Sequence, residues 1–309
     1  MSRWTSIVAC VGVLVLGGQV LGAPWDTVVF REDFAGTDGS PPDPARWVVN
    51  HPGEWWWVQG RTLFPEPSIA APATPTHWLP YIENNTCVFE HHLYNPFDSN
   101  HLTFLGGEIH TLPGLGFQPG SAYRFEARVR SSTSSNGLVT SFFTYGYDGA
   151  KSDEVDYEFL SNRTNQYSPN QDAVLLNSWN ESSKTSDTYV WPTGLDLANW
   201  NVFRIYWYPA EHRVEWTWLD PSNGETLLHA ETDPNFVPDE GMSLYFNFWA
   251  AGDIWGDAYD ANLQPVSDPS LDQTFRFEVD YAEVRTPEPA TLSLLALGGL
   301  AVLRLRCRR

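Results

Sequence analysis

The fold class follows from one stretch, Tyr123-Arg124-Phe125-Glu126-Ala127-Arg128-Val129. Apolar and charged side chains alternate along most of it, and successive side chains of a β-strand point to opposite faces. The stretch therefore predicts a strand with one face in a core and the other face in solvent.

The same character recurs on both sides of this stretch. Short runs rich in Val, Phe, Tyr, Trp and Thr are separated by Gly, Pro, Asn, Asp and Ser, and long helical periodicity is absent. Many short strands without intervening helices predict an all-β protein, an antiparallel sandwich or a closed barrel. The predicted strands are Val28–Phe34, Trp55–Gln59, Tyr123–Arg130, Gly137–Tyr145, Asp153–Leu160, Ala173–Trp179, Asn201–Tyr208, Val214–Leu219, Ser243–Ala250 and Thr274–Arg285.

Charge and aromatic content narrow the range of partners. The 309-residue chain carries a formal net charge of −20, which repels phosphate backbones and anionic lipid headgroups, so nucleic acid is excluded as a partner. The chain contains 15 Trp, and although some of them are expected in the core, so many indoles in one domain suggest exposed rings as well. Some of these rings are therefore expected on the surface, where they can stack on the flat apolar faces of sugars.

The amino-terminal segment predicts export. Residues 1–23 contain Arg3, an apolar run from Ile7 to Leu16, and small residues at Gly22 and Ala23. This order is typical of a secretory signal peptide. The region 24–286 is then expected to form one domain.

A second stretch carries the candidate chemistry, Ser152-Asp153-Glu154-Val155-Asp156-Tyr157-Glu158-Phe159-Leu160. In a strand, three alternating carboxylates form a row on one face. The outer two Cα atoms then lie roughly 13 Å apart, and long side chains that lean together can bring their carboxyl groups to about 5–6 Å, as retaining glycosidases require. Like-charge repulsion in such a row is expected to raise the pKa of at least one member. The alternative interpretation is an acidic strand face turned to water.

The run Glu154-Val155-Asp156-Tyr157-Glu158 resembles the E-[ILV]-D-x-E motif of glycoside hydrolase family 16, and more closely its lichenase-like branch. The resemblance implies a concanavalin-like β-jelly-roll sandwich of two antiparallel sheets with a concave substrate cleft. It also implies that Glu154 is the nucleophile, Asp156 its assistant and Glu158 the acid/base. No cofactor is implied for catalysis.

Flanking runs extend the resemblance over roughly 106–285. Residues 106–111 and 123–128 resemble a pair of strands where the family holds a sugar-binding glutamate, and His110 and Ser152 stand where lichenases have arginine and tryptophan. The resemblance also implies a structural calcium ion at Asp280, and the alternative interpretation is an ordinary surface Asp. The substrate-binding residues it implies are Glu108, Phe143, Tyr145, Asn177, Trp179, Asn247, Trp249 and Trp255.

The carboxy-terminal segment 287–309 resembles the bacterial PEP-CTERM sorting signal. Pro287-Glu288-Pro289 precedes an apolar stretch and an arginine-rich tail. The resemblance implies an exosortase-type protease as a partner and a location at the cell surface or in the extracellular matrix of a Gram-negative-type bacterium. Membrane contact is expected only through the terminal segments.

The function expected from these observations is that of an exported, retaining endo-glycosidase acting on a polysaccharide. Mixed-linkage β-1,3-1,4-glucan is the first candidate substrate, and a laminarin- or galactan-type polymer the next. Two alternatives stay open: a transglycosylase that remodels matrix polysaccharide with the same carboxylates, and a non-catalytic lectin-like glycan-binding protein.

Overall fold

The described chain contains nineteen strands and three single-turn 3-10 helices, which are joined by turns and loops. The computed structural model describes residues 25–50, 56–70, 72, 74–132, 135–162, 173–184 and 187–288. The 3-10 helices are Pro113–Leu115, Pro209–Glu211 and Pro269–Leu271. The strands are β1 Thr27–Glu32, β2 Trp47–Val49, β3 Trp56–Gln59, β4 Thr62–Pro65, β5 Tyr81–Glu83, β6 Thr86–His92, β7 Phe104–Leu105, β8 Gly107–Thr111, β9 Tyr123–Ser132, β10 Leu138–Tyr147, β11 Ser152–Leu160, β12 Ala173–Asn180, β13 Ser183–Lys184, β14 Thr188–Val190, β15 Asn201–Tyr208, β16 Arg213–Asp220, β17 Gly224–Glu231, β18 Ser243–Ala250 and β19 Thr274–Thr286.

The strands form two sheets. The cleft sheet has the order β13-β12-β11-β10-β18-β8-β2, with β14 on β12. The back sheet has the order β17-β16-β15-β9-β19-β6-β7-β4-β3, with β1 on β19 and β5 on β6. The expected jelly-roll sandwich of two sheets is confirmed. One detail differs from the expectation: β4 and β7 pair in parallel, whereas the other named strand pairs run antiparallel.

The core lies between the sheets and is built from the apolar halves of alternating strands. Phe125 of β9 is fully buried in the back sheet, and Tyr157 of β11 is fully buried in the cleft sheet. Across the interface the ring of Tyr157 packs on Phe203, with centroids 5.1 Å apart, and Phe159 packs on Phe203 at 4.7 Å. The side chains that alternate with these are therefore left for the outer faces.

All ten predicted strands are present, and two of them, Asn201–Tyr208 and Ser243–Ala250, have the predicted bounds. The other predicted strands differ from the observed ones by one or two residues at their ends. In the predicted strand Trp55–Gln59, Trp55 lies outside the described residues. One expected pairing was wrong: β8 joins β18 and β2 in the cleft sheet, whereas β9 lies between β15 and β19 in the back sheet. The two are separated in space because consecutive strands of a sandwich can belong to opposite layers.

Residues Trp25–Thr286 form one compact unit. The predicted signal peptide and most of the predicted sorting signal lie outside the described residues and stay predictions. Over the ranges that the structure describes, we find no helix with the length and hydrophobicity needed to span a membrane.

Candidate active site

The three carboxylates of β11 lie on the outer face of the cleft sheet. Val155, Tyr157 and Phe159 point into the core, so the alternating residues must point outward. Asp156 is only 4% exposed, whereas Glu154 and Glu158 on either side are partly exposed. One strand thus places two accessible carboxylates around a buried one.

These carboxylates open into a cleft of about 320 Å³. Strands β8, β10, β11 and β18 supply its floor, and β3 of the back sheet contributes one wall residue. The lining residues are Gln59, Glu108, Ser141, Phe143, Tyr145, Glu154, Asp156, Glu158, Tyr245, Asn247 and Trp249.

Strand register aligns the lining residues and their neighbours on the same face in rows that run across the sheet. The central row contains His110, Tyr245, Phe143, Asp156 and Asn177, because each is the Cα partner of the next. Three of its rings form a continuous stack, with centroids 4.5 Å apart between His110 and Tyr245 and 5.0 Å between Tyr245 and Phe143. An aromatic strip therefore leads directly to the buried carboxylate.

The electrostatics of the cleft are strongly acidic. Four of the residues that line the cleft are carboxylates, and no Lys or Arg is found among the described residues that line it. Burial raises the pKa of Tyr145, and the negative charge of Glu154 raises it further. Burial likewise raises the pKa of Tyr245, and the charge of Glu108 adds to that effect. Both phenols stay protonated at neutral pH and can donate hydrogen bonds.

The cleft floor presents polar atoms beside the rings. Asn247 Nδ2 donates to Glu108 Oε2 at 3.3 Å. Ser141 Oγ, Asn247 Oδ1 and Trp249 Nε1 are buried and have no hydrogen-bond partner among the described residues. Buried polar groups are ordinarily paired, so these atoms suit a ligand with many hydroxyl groups.

Comparison with known proteins identifies the family. A family model described as "Glycosyl hydrolases family 16" matches residues 113–282. The chain belongs to this family. Glu154, Asp156 and Glu158 lie inside the matched region, whereas Glu108 lies before it.

Known relatives of this family 16 chain include the endo-1,3-1,4-beta-glycanase ExoK of Rhizobium meliloti. It is 29% identical over 148 residues, and the match covers 47% of this chain and 48% of that relative. The match thus spans about half the length of that relative.

Solved structures show the same fold. The β-glucanase of Bacillus licheniformis superposes with a TM-score of 0.57 at 18% identity, covering 88% of this chain and 100% of that chain. A prokaryotic β-1,3-1,4-glucanase (lichenase) from a mouse hindgut metagenome also has a TM-score of 0.57 at 18% identity. The superposition covers 84% of this chain and 98% of that chain. At this identity the likeness establishes the fold of this family 16 chain and leaves its substrate open.

The structure brings five of the eight expected substrate-binding residues into the cleft and places the other three beside it. Asn177 and Trp179 lie on β12, opposite Asp156 and Glu154, and Trp179 Nε1 donates to Asn177 Oδ1 at 2.7 Å. Trp255 stacks on Trp249 with centroids 5.6 Å apart and lines a neighbouring groove. The cleft-facing five are Glu108, Phe143, Tyr145, Asn247 and Trp249.

Three lining residues were not anticipated from the sequence of this family 16 member. Ser141 shares strand parity with Phe143, and Tyr245 shares it with Asn247, so alternation could have identified both. Gln59 comes from β3 of the back sheet, and no local pattern indicates that it reaches the cleft.

The surroundings of Asp280 do not fit the calcium site that was expected there. Asp280 Oδ2 accepts a hydrogen bond from Arg128 Nη1 at 2.7 Å, so a guanidinium already balances this carboxylate. Within the described ranges, no group of three or more His, Cys, Asp or Glu side chains could hold a metal ion. Structural calcium at Asp280 therefore stays a prediction that the local contacts do not support.

Proposed function

We propose that this family 16 chain is an exported, retaining endo-glycosidase that hydrolyses internal β-glycosidic bonds of a β-1,3-1,4- or β-1,3-glucan. One observation carries the proposal: Glu154, Asp156 and Glu158 share one face of β11 and open into a cleft lined by rings and amides. Carboxylate pairs of this kind perform glycoside hydrolysis by double displacement.

In the first displacement, the Glu154 carboxylate attacks the anomeric carbon while Glu158 donates its proton to the glycosidic oxygen. The bond between carbon and oxygen breaks, and the leaving sugar departs with a new hydroxyl group. In the second, the Glu158 carboxylate removes a proton from water, and the water oxygen attacks the same carbon. Glu154 is released, Glu158 is protonated again, and two inversions give net retention.

The buried Asp156 has a different part in this proposal. It lies between the two glutamates and is nearly inaccessible, so it is expected to share a proton with Glu154 and to tune that carboxylate. Asp156 therefore acts on the reaction through its neighbour.

Substrate recognition in the proposal uses rings and amides. Phe143, Tyr145 and Trp249 offer faces on which pyranose rings stack. Glu108 can accept hydrogen bonds from sugar hydroxyls, and the amide of Asn247 can accept or donate them. The four carboxylates of the cleft would repel sulfated or uronic polymers, which favours a neutral glucan.

The test is reducing-end release by the full chain against lichenan, laminarin, xyloglucan, agarose and carrageenan. Glu154→Gln should abolish release, whereas Glu240→Gln, an exposed glutamate on a loop, should leave it unchanged. Products longer than the substrate beside shorter ones would favour the transglycosylase. Binding without new reducing ends from any polymer would favour the lectin-like alternative.

Export and surface sorting form a separate part of the proposal. The order of charged, apolar and small residues in 1–23 and the Pro-Glu-Pro, apolar and arginine-rich order in 287–309 support it. Mass spectrometry of the protein recovered from its native host should find both terminal segments removed. An intact carboxy terminus would contradict the proposed exosortase step.

A further inference from the structure

Asp153 is a buried carboxylate that lies on β11 directly before Glu154, the proposed nucleophile. It shares strand parity with Val155, so its side chain points away from the cleft face. Only 3% of Asp153 is exposed. Because a buried charge is costly unless hydrogen-bond donors surround it, the contacts of this carboxylate decide whether it stabilises the start of the strand.

Three backbone N–H groups donate to the Asp153 carboxylate. Oδ1 accepts from the amide of Glu181 at 2.8 Å. Oδ2 accepts from the amides of Asp239 at 2.9 Å and Glu240 at 3.0 Å. Hydrogen bonds to an ionised carboxylate are roughly twice as strong as those between neutral groups. Asp153 therefore joins the turn after β12 to the loop before β18.

These contacts lie where the pairing of β11 with β12 ends. Glu154 pairs with Trp179, and this is the terminal pair of the register between the two strands. One residue nearer the start of β11, the bond from the Glu181 amide to Asp153 connects the two segments through a side chain instead. On the β12 side, the backbone of Glu154 is thus held by strand pairing in one direction and by Asp153 in the other.

The turn that Asp153 contacts depends on β11 for its own conformation. Glu181 and Ser182 have φ values of +51° and +64°, a region that residues other than glycine adopt only at a cost in free energy. The amide of Ser182 donates to the Ser152 carbonyl at 2.8 Å, and the Ser182 hydroxyl accepts from the Ser152 amide at 3.1 Å. Lys151 and Glu181 also form an ion pair, but both side chains are exposed, so solvent screens it. The buried carboxylate is therefore the charged contact that solvent weakens least.

We propose that Asp153 is a positioning residue: its bonds to three amides fix the start of β11 and thereby the position of the Glu154 carboxylate in the cleft. This inference rests on the proposed function, because it assumes that Glu154 attacks the anomeric carbon. Glu158 lies four residues further along, where β11 is paired on both sides. Asp153 therefore acts on the nucleophile and leaves the acid/base in place.

A double-variant cycle tests whether Asp153 acts through Glu154. The substrate is an activated aryl glycoside of the trisaccharide of mixed-linkage β-glucan. Asp153→Asn removes the charge and turns one acceptor into a donor, so kcat/KM should fall roughly 10- to 100-fold, since a displacement of about 1 Å can cost about 10² in rate. In Glu154→Ala, with azide as the nucleophile, the same substitution should change the rate by less than about two-fold, because the carboxylate that Asp153 positions is gone.

Asp220→Asn is the matched control. Asp220 also ends a strand, β16, and its Oδ1 accepts from the Ser222 amide at 2.7 Å, but it lies in the back sheet. This substitution should leave the rate unchanged in either background. Calorimetry should find the affinity of Asp153→Asn for the trisaccharide within about two-fold of that of the unaltered chain, since the cleft itself stays intact.

A second variant covers the case in which Asp153→Asn does not fold. Asp153→Glu keeps the charge and both acceptor oxygens but moves the carboxylate by one methylene. It enters the same cycle, and the loss of rate should again disappear in the Glu154→Ala background.

An equal fall in rate in both backgrounds would overturn the inference, since Asp153 would then support the fold as a whole. An unchanged kcat/KM in a folded Asp153→Asn would overturn it as well, and either result would leave the proposed hydrolysis standing. If the unaltered chain cleaves neither a polymer nor the aryl glycoside, the proposed function fails and the positioning role fails with it.

Discussion

Glu154 and Glu158 have the same chemistry and the same strand face, yet their proposed tasks differ. The difference must arise from what surrounds each side chain. Glu154 is the Cα partner of Tyr145 and Trp179, whereas Glu158 is the partner of Ser141 and Leu175. The two carboxylates therefore lie at opposite edges of the central row, on either side of the position where a glycosidic bond would be cleaved.

Azide and an activated aryl glycoside distinguish these two residues. In Glu158→Ala the nucleophile still forms the covalent intermediate, so azide should give a glycosyl azide of retained configuration. In Glu154→Ala azide must attack the substrate directly, so the product should have inverted configuration. Without azide, turnover of natural polymer should fall by at least about 10²–10⁴-fold in either variant. Proton NMR of the anomeric centre identifies the product, and exchanged configurations would reverse the assignment.

Outside the cleft, His92 links the stability of the folded chain to pH. Burial opposes the charge on His92, but its contacts with Asp272, at 2.7 Å, and with Glu90 raise its pKa from 6.5 to about 9. The folded state therefore binds this proton more tightly than the unfolded state does. The resulting stabilisation is fully present below pH 6.5 and is lost as the pH rises to about 9.

His92→Asn should remove this pH dependence. The unaltered chain should lose about 3 kcal/mol more of its free energy of unfolding between pH 6 and pH 9.5 than the variant does. Urea unfolding at both pH values measures the difference, and His212→Asn serves as an exposed control. If the free energy of unfolding changes with pH to the same extent in His92→Asn and in the unaltered chain, the contacts of His92 with Asp272 and Glu90 contribute nothing to the pH dependence.

Strand β11 joins the site to the core. Its outward face carries the carboxylates, while its inward face is tied to the back sheet: Tyr157 donates from its hydroxyl to the Thr217 carbonyl at 2.8 Å, and Trp216 Nε1 donates to the Asp156 carbonyl at 2.8 Å. The backbone that holds the carboxylate row is therefore anchored through the core, which keeps the row in one position.

Removing one of these anchors tests the arrangement. Tyr157→Phe should lower the free energy of unfolding by about 1–2 kcal/mol, the worth of one buried hydrogen bond, because the ring is kept and no large cavity forms. kcat should stay within about two-fold, since strand pairing on both sides still sets the register of β11. Chemical denaturation and kinetics measure the two quantities. Tyr147→Phe, on an exposed tyrosine of β10, should change neither, and a stability change as large as that of Tyr157→Phe would refute the anchor.

The negative charge of the chain and the acidity of the cleft act together on an approaching polymer. The formal net charge is −20, and four of the carboxylates that contribute to it line the cleft. Among the described residues that line the cleft there is no Lys or Arg. A polyanion would approach against this field, whereas a neutral glucan would not be affected by it.

Ionic strength should therefore separate the two classes of polymer. The KM for lichenan should change by less than about two-fold between 20 mM and 500 mM NaCl, because no charge pair is formed on binding. Carrageenan should not compete with lichenan at low salt. Strong competition at 20 mM NaCl that weakens with added salt would mean that a cationic surface recruits the polymer, and the neutral assignment would be wrong.

Strand character and side-chain parity could be determined from the sequence because both are local. The alternation in Tyr123–Val129 predicted the all-β class, and the spacing of Glu154, Asp156 and Glu158 predicted their common face, since a strand has a side-chain period of two residues. The same rule placed Phe143 with Tyr145 and would have identified Ser141.

Which strands lie beside one another is visible only in the folded chain. The tertiary structure separated β8 from β9 into different sheets, brought Gln59 of the back sheet to the cleft, and placed the amides of Glu181 and Asp239 on the Asp153 carboxylate. These contacts join residues far apart in the chain, and their geometry follows from how two twisted sheets pack over a shared core. Side-chain direction is local and can be predicted from the sequence of one strand. Which strands and residues become neighbours in a sandwich depends on how all the strands pack together.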